Sequence, residues 1–130
     1  MGILIDSDII IDFLNNQNSA VSFFENSTPN KEFSISIISW IEVSYGFKKN
    51  KFSNKMKIFQ NLLEDYQIRI ISIDEKVAEI FLDIKINLEK QKQPLADFDL
   101  LIASTAIASN LSFVTRNIKH FKRIKGLNLL

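Results

Sequence analysis

The sequence has no cysteine, one histidine, two prolines and three glycines. Without cysteine, a disulfide framework, a thiolate zinc site and thiol catalysis are excluded. The single histidine, His120, has no supporting serine motif, so a Ser-His-Asp triad is not expected. No glycine-rich phosphate loop, repeat or low-complexity stretch is present. These absences indicate one domain over residues 1–130 and direct attention to acidic residues.

Long hydrophobic runs are also missing. Runs such as 9–11 and 100–103 are far too short to cross a bilayer, so no membrane association is expected. The first residues lack the basic region and cleavage site of a signal peptide, and we expect them to form the first strand. With 46% hydrophobic and 24% charged residues, the chain should be globular, and a cytoplasmic location is expected.

The net charge is +1, but the charges are unevenly distributed. No acidic residue lies between Glu42 and Glu64, and none follows Asp99. The first segment carries Lys48, Lys49, Lys51, Lys55 and Lys57, and the second carries Arg116, Lys119, Lys122, Arg123 and Lys125. Such segments form either a phosphate-binding surface or ordinary solvated helix faces, and the composition leaves both open.

The hydrophobic pattern predicts strands that alternate with helices. Strands are expected at 3–5, 33–37, 68–73 and 112–115, and residues 127–130 can form a last one. Helices are expected from Ser7 or Asp8 to 14, at 19–26 with Thr28-Pro29 closing it, at 39–49, at 54–65, after a cap at Asp74, and from Asp97 or Asp99 to 109. This order indicates an α/β fold with a parallel sheet, whose ligands bind beyond the carboxyl ends of the strands.

Acidic residues interrupt several of the apolar segments. Asp6 and Asp8 lie within 3–11, Glu42 lies within 37–43, and Asp97 and Asp99 open the apolar stretch 100–103. A carboxylate drawn into a core is costly unless something neutralises it. If these side chains converge, a divalent cation is the natural compensation, and oxygen ligands favour Mg²⁺ or Mn²⁺ over zinc.

Structural explanations compete with this interpretation at some positions. Asp8 and Asp97 also fit helix caps, and Asp12, one turn after Asp8, fits a solvated helix residue. Glu42 could lie on the exposed side of an amphipathic helix. Asp6 and Asp99 are the hardest to explain structurally, because their flanks are so apolar.

Four stretches in order resemble the PIN-domain family, specifically its VapC-type toxins. They are Leu-Ile-Asp-Ser-Asp-Ile-Ile-Ile-Asp at 4–12, the glutamate-containing segment 35–46 with its closing glycine, Pro-Leu-Ala-Asp-Phe-Asp-Leu-Leu-Ile-Ala at 94–103, and Phe-Val-Thr-Arg-Asn at 113–117. Together they span nearly the whole chain. The resemblance implies a three-layer α/β/α fold with a central, mostly parallel sheet.

The same resemblance assigns roles to individual residues. Asp6, Glu42 and Asp99 are the implied metal ligands, for Mg²⁺ with Mn²⁺ as a substitute. Asp97 is an auxiliary acid, and Asn117 stands where many members carry a fourth aspartate, which makes it a weak ligand. The residues expected to orient or support the carboxylates are Ser7, Asp8 and Thr115. The residues expected to bind the RNA backbone are Lys48, Lys49, Arg116 and Lys119.

The implied activity is hydrolysis of RNA phosphodiester bonds that leaves a 5′-phosphate and a 3′-hydroxyl. The resemblance also implies a homodimer and a cognate antitoxin that inserts a segment, commonly with an arginine, over the active site. Trp40, Tyr45 and Phe47 could serve such contacts if they are exposed, or could simply fill the core.

Two other interpretations stay open. Asp6-Ser7-Asp8 after a first strand also resembles the opening of haloacid-dehalogenase-type phosphatases, although Glu42 and the Thr-Arg-Asn motif have no place there. A non-catalytic PIN-like module that only binds RNA or protein is the second, since Asn117 replaces an acid. The target RNA, and cleavage of DNA instead, are not decided by the sequence.

Overall fold

The computed structural model describes residues 2–27 and 30–130, so the helix end predicted at Thr28-Pro29 lies outside the described residues. Within these ranges there are four strands and seven helices. The strands are β1 (Gly2–Ile5), β2 (Glu32–Ser36), β3 (Arg69–Ile71) and β4 (Ser112–Val114). The helices are α1 (Ser7–Leu14), α2 (Asn18–Glu25), α3 (Ile37–Lys49), α4 (Ser53–Asp65), α5 (Glu75–Lys90), α6 (Asp97–Ala108) and α7 (Ile118–Phe121).

The strands form one sheet in the order β3-β2-β1-β4, and every neighbouring pair is parallel. In the register, Leu4 lies beside both Ser34 and Phe113. The predicted last strand is reduced to one parallel bridge between Leu129 and Phe113. The predicted parallel α/β fold is confirmed, and β1 and β4 end side by side.

Side chains of β1 alternate between two hydrophobic clusters, one on each face of the sheet. Ile3 and Ile5 belong to the first cluster, which α1 to α4 cover. Leu4 belongs to the second, which α5, α6 and α7 cover. A parallel sheet buried on both faces has apolar residues at successive positions, which explains the continuous apolar run of β1. The chain therefore has the predicted three-layer α/β/α arrangement.

Helix starts agree with the sequence at one position and differ at two. Asp74 caps α5, accepting a hydrogen bond of 2.9 Å from the Val77 amide, as predicted. The cap of α1 is Asp6, and Asp8 lies in the first turn, so the prediction of Asp8 as a cap was wrong. Ala96 precedes α6, and Asp97 lies in its first turn. Carboxylates in a first turn still interact favourably with the helix dipole.

Helix α7 was not predicted, and the lengths of all the helices bear on membrane association. The short helix α7 follows β4 and buries Phe121, but it is too brief to show a periodic pattern. Among the described residues, no helix combines the length and the apolar character that a bilayer crossing requires.

Candidate active site

The polar residues of the site lie at the carboxyl ends of the neighbouring strands β1 and β4 and on two helices. Asp6 directly follows β1, and its amide donates to the carbonyl of Val114 at 3.0 Å. Thr115 directly follows β4. Glu42 reaches the site from α3, and Asp99 reaches it from the first turn of α6. Sheet order therefore brings together residues from the beginning and the end of the chain.

Asp6 is the most buried carboxylate of the site, with 5% of its surface exposed. Its Oδ1 accepts a hydrogen bond of 2.8 Å from the Ser7 amide, and its Oδ2 accepts one of 2.7 Å from the Thr115 hydroxyl. Burial, and then the negative charge of Asp8, raises the pKa of Asp6 to about 7. The two hydrogen bonds act in the opposite direction, because they favour the ionised form.

Glu42 and Asp99 complete a group of mutually repelling carboxylates. Ser7 Oγ donates to Glu42 Oε1 at 3.0 Å, so one residue links Asp6 to Glu42. Burial raises the pKa of Glu42, and the charges of Asp99 and Asp8 raise it further. Burial also raises the pKa of Asp99, which His120 lowers and Asp8 raises. Ser7 therefore joins Asp6 to Glu42, and the effect of the Asp99 charge on both carboxylates indicates that Asp99 lies near this pair.

Asp8 ties α1 to the turn that follows β4. Its Oδ2 accepts hydrogen bonds from the Arg116 amide at 3.0 Å and from the Thr115 hydroxyl at 3.2 Å. Burial raises the pKa of Asp8. Its other oxygen, Oδ1, is buried and has no hydrogen-bond partner in the described ranges. An oxygen of this kind needs a water or a cation, because a buried acceptor without a partner is costly.

The donor set fits a hard divalent cation. Four half-buried or buried carboxylates repel one another, and the ligand atoms that they offer are oxygens. Within residues 2–27 and 30–130, no three acidic or histidine side chains form a ready-made metal cage. The fit therefore rests on donor chemistry and on the partnerless oxygen of Asp8, which favour Mg²⁺ or Mn²⁺.

The sequence matches a known family and its curated members over nearly its full length. The PIN-domain family model matches residues 3–127. The ribonuclease VapC1 of Methanocaldococcus jannaschii is 33% identical over 127 residues, which covers 98% of this chain and 84% of that protein. This chain belongs to the PIN-domain family and, within it, to the VapC ribonucleases.

Two solved complexes contain chains with the same fold as this chain. A chain of VapBC2 from Rickettsia felis, in a complex bound to a promoter DNA fragment, superimposes with a TM-score of 0.89 and 30% identity, over 100% of this chain and 98% of that chain. A chain of a toxin–antitoxin complex from Klebsiella pneumoniae gives a TM-score of 0.73 and 28% identity, over 96% and 94%. Membership of this family leaves the dehalogenase-type alternative without support.

In this VapC-family chain, the predicted ligand Asp97 pairs with a residue outside the carboxylate group, whereas Asn117 contacts Thr115 and His120 beside that group. Asp97 forms an ion pair with Lys85 at 2.6 Å and is not among the charges that raise the pKa of Asp6, Glu42 or Asp99. The Asn117 side-chain amide contacts His120 Nδ1 at 2.8 Å. Its backbone amide donates to the Thr115 hydroxyl at 3.0 Å.

The basic residues of this VapC-family chain differ in their exposure and in their contacts with other residues. Lys48, Lys49 and Lys119 are exposed. Arg116 is exposed but pairs with Asp12, with Nε and Oδ2 2.8 Å apart. Lys55 donates to the carbonyl of Leu14 at 2.8 Å and therefore caps the carboxyl end of α1.

Sequence reasoning missed the roles of Asp12, Lys55 and His120. The ion pair of Asp12 depends on the turn after β4 lying beside α1, which no local pattern shows. His120 lies near Asp99 because α7 follows β4 directly, and α7 was itself not predicted. The one available signal was the spacing of Asp8 and Asp12, which places both carboxylates on one face of α1.

Proposed function

We propose that this VapC-family chain is a metal-dependent endoribonuclease that hydrolyses RNA phosphodiester bonds, with Mg²⁺ as its cofactor and Mn²⁺ as a substitute. The observation that supports the proposal is the Ser7 link between Asp6 and Glu42 beside β1, together with the effect of the Asp99 charge on both carboxylates. Buried carboxylates that repel one another without a partner would be expensive to retain for structure alone.

The proposed roles follow from the hydrogen bonds. Asp6, Glu42 and Asp99 hold the cation, which when bound screens the phosphate charge and lowers the pKa of water. Ser7 orients two of these carboxylates, through its amide and its hydroxyl. Thr115 fixes the second oxygen of Asp6. Asp97 and Asn117 are kept as auxiliary positions, and Asp8 holds the turn that carries Thr115.

Binding of the RNA backbone is assigned to exposed cations. Lys48, Lys49 and Lys119 are exposed and form no ion pair among the described residues, so they can contact phosphates, and each contact adds to the salt dependence of binding. Arg116 must first leave or share its ion pair with Asp12. We therefore assign Arg116 a smaller part in RNA binding than the three lysines.

Two protein partners are also proposed. Because similar chains occur in toxin–antitoxin complexes, a cognate antitoxin is expected to inhibit this chain and to cover its acidic site. A homodimer is expected as well, and light scattering after size exclusion tests it, since a monomer at micromolar concentration would contradict it. We place the action of the protein in the cytoplasm, where its RNA substrates are made.

Cleavage of labelled single-stranded RNA tests the activity. The purified chain should cut RNA with Mg²⁺ and stop when EDTA is added. Asp6→Asn and Asp99→Asn should each lower the rate by at least about 100-fold, because each removes a charge needed for the cation. Asp83→Asn, the same change on the exposed side of α5, is the matched control and should leave the rate unchanged.

The outcomes separate the alternatives. Equal rates for Asp99→Asn and the parent chain would overturn the proposed mechanism. RNA binding and Mg²⁺ binding without any cleavage would identify a non-catalytic PIN module. Hydrolysis of a small phosphate ester without cleavage of RNA would revive the phosphatase interpretation, and cleavage of DNA alone would change the substrate.

A further inference from the structure

One face of α3 carries a series of residues that leads away from the acidic site. Glu42, Tyr45, Gly46 and Lys49 are spaced at i, i+3, i+4 and i+7, which places them on the same side of the helix. At a rise of 1.5 Å per residue, the series extends about 10 Å along the axis. The series therefore presents, in order, a carboxylate of the site, an aromatic ring, a position without a side chain and an ammonium group.

Tyr45 lies one turn after Glu42 in α3, and its aromatic ring is largely exposed. Its exposed fraction is 62%, the largest among the exposed hydrophobic residues of the described chain. The Lys49 ammonium lies 5.6 Å from the centre of its ring, within the range of a cation–π contact. This contact holds a cation over one side of the ring, and the solvent-exposed ring keeps surface available for a second flat partner.

Within the part of the chain that the structure describes, neither conformation nor packing requires glycine at position 46. It lies inside a helix of 13 residues, where glycine costs about 1 kcal/mol relative to alanine. Its φ is not positive, so its conformation is one that any residue adopts. A Cβ atom built on it would have no atom within 4 Å, so close packing does not require its absence either. The missing side chain leaves open space beside Tyr45, on the face that leads to Glu42.

We propose that Tyr45, Gly46 and Lys49 form a nucleotide subsite beside the cleaved bond, and that it takes a nucleotide of single-stranded RNA. The base stacks on Tyr45, the sugar-phosphate backbone crosses the gap at Gly46, and Lys49 contacts a phosphate. This inference rests on the proposed function for the position of the cleaved bond. A base is available for stacking only when it is not paired, so the subsite selects single strands, loops or bulges.

The charges of this face favour RNA over a protein segment. Its far end is basic, with Lys48 and Lys49 in the last turn of α3. No acidic residue follows Glu42 until Glu64. An apolar protein helix would need a hydrophobic groove, whereas the series from Glu42 to Lys49 has one exposed ring between a carboxylate and an ammonium group. Ile41, which is 40% exposed one turn before Tyr45, adds one apolar side chain to this face.

Fluorescence anisotropy with a short, labelled, mixed-sequence oligoribonucleotide tests the proposal. All variants are made in the Asp99→Asn background and measured with Mg²⁺, so that binding is observed without cleavage. Tyr45→Leu should weaken binding of the single strand by about 10- to 100-fold, and Tyr45→Phe should retain it, because stacking needs the ring and not the hydroxyl. Binding of the same sequence as a duplex should not depend on Tyr45.

Gly46 and Lys49 provide readouts that a purely structural role would not give. Gly46→Gln should raise or preserve the melting temperature, because glutamine is a better helix former, while binding weakens about tenfold through obstruction. Lys49→Gln should reduce the slope of log binding constant against log salt by about 1. Lys31→Gln is the matched control, since Lys31 precedes β2 at the opposite edge of the parallel sheet, and it should leave that slope unchanged.

Each contrary result has a definite meaning. Unchanged RNA binding by Tyr45→Leu and Gly46→Gln overturns the subsite. If Tyr45→Leu changes the mass in light scattering, or binding of an antitoxin, while RNA binding stays the same, the face belongs to a protein contact and the proposal is wrong. If RNA binding depends on Tyr45 but the parent chain never cleaves RNA, the subsite stands and the proposed endoribonuclease activity fails.

Discussion

The hydroxyl of Thr115 donates a hydrogen bond of 2.7 Å to Asp6 Oδ2, although the two residues are 109 positions apart in the sequence. The contact follows from the parallel pairing of β1 with β4, in which Ile5 lies beside Val114. The residues that follow these two partners necessarily meet. The orientation of the most buried carboxylate is thus set by the sheet and not by a flexible loop.

Replacing Thr115 by valine tests this relationship. Valine has nearly the same shape but cannot donate to Asp6, so one oxygen of a buried carboxylate loses its partner. We expect the rate of RNA cleavage to fall by about 10- to 100-fold, with a higher Mg²⁺ concentration needed for half-maximal activity. Single-turnover cleavage measured across a Mg²⁺ titration gives both quantities.

Thr105→Val is the matched control. The Thr105 hydroxyl is also buried, but it donates to the carbonyl of Leu101 within α6. This variant should leave the Mg²⁺ requirement unchanged. A similar loss of activity in both variants would show that the Thr115 effect is a general consequence of removing a buried hydroxyl.

Stability in metal-free buffer should depend on pH through Asp6. Folding raises the pKa of Asp6 from 3.8 to about 7, so the folded protein holds this proton more tightly than the unfolded chain does. The stabilisation is fully present below pH 3.8 and is lost as the pH rises to about 7. Thermal melts in EDTA should therefore show a melting temperature that falls across this range.

Asp6→Asn removes this titration. Above pH 7 the variant should be more stable than the parent chain, by roughly 1–3 kcal/mol, because no charge is buried at this position. Added Mg²⁺ should raise the melting temperature of the parent chain and not that of the variant. A variant with the same pH dependence as the parent chain would mean that Asp6 does not carry the raised pKa.

The two acids at the start of α6 should differ in their effect on catalysis. Asp97 is exposed and paired with Lys85, whereas Asp99 is half-buried beside the other carboxylates. Asp97→Asn should lower the cleavage rate by less than about tenfold, and Asp99→Asn by at least about 100-fold. Parallel rate measurements decide the point, and equal losses would make Asp97 a full member of the site.

Lys55 should contribute to stability and not to RNA binding. Its ammonium group donates to the Leu14 carbonyl at the end of α1, where the last turn has no basic residue of its own. Lys55→Met should lower the free energy of unfolding by about 1–2 kcal/mol in urea denaturation. Lys57→Met, at an exposed position of the same helix, is the control, and an equal loss there would contradict the capping role.

The parts of the fold that depend on local pattern could be predicted. The apolar run of β1, the capping of α5 by Asp74 and the alternation of strands and helices all came from short stretches of sequence. The carboxylates were recognisable because Asp6 and Asp99 have apolar flanks. The position of Asp6 followed from one general property of parallel sheets, namely that ligand sites lie beyond the carboxyl ends of the strands. Asp99 instead reaches the site from the first turn of α6.

The remaining features depend on distant contacts. Asp6 was not predicted as the cap of α1, because its position as the last residue before the helix depends on where β1 ends. The pairing of Asp97 with Lys85 depends on α5 packing against α6. The ion pair of Arg116 with Asp12 likewise requires the turn after β4 to lie beside α1. None of these contacts can be predicted from the spacing of hydrophobic residues along the sequence.

The position of β4 beside β1 also imposes an order on biosynthesis. A ribosome makes the first acidic residue of the site almost at once, but β1 lacks one of its two neighbouring strands until Ser112–Val114 has left the exit tunnel. Until then Asp6 has no threonine hydroxyl to orient it. A nascent chain that lacks β4 therefore cannot orient Asp6 in the way that the complete sheet does.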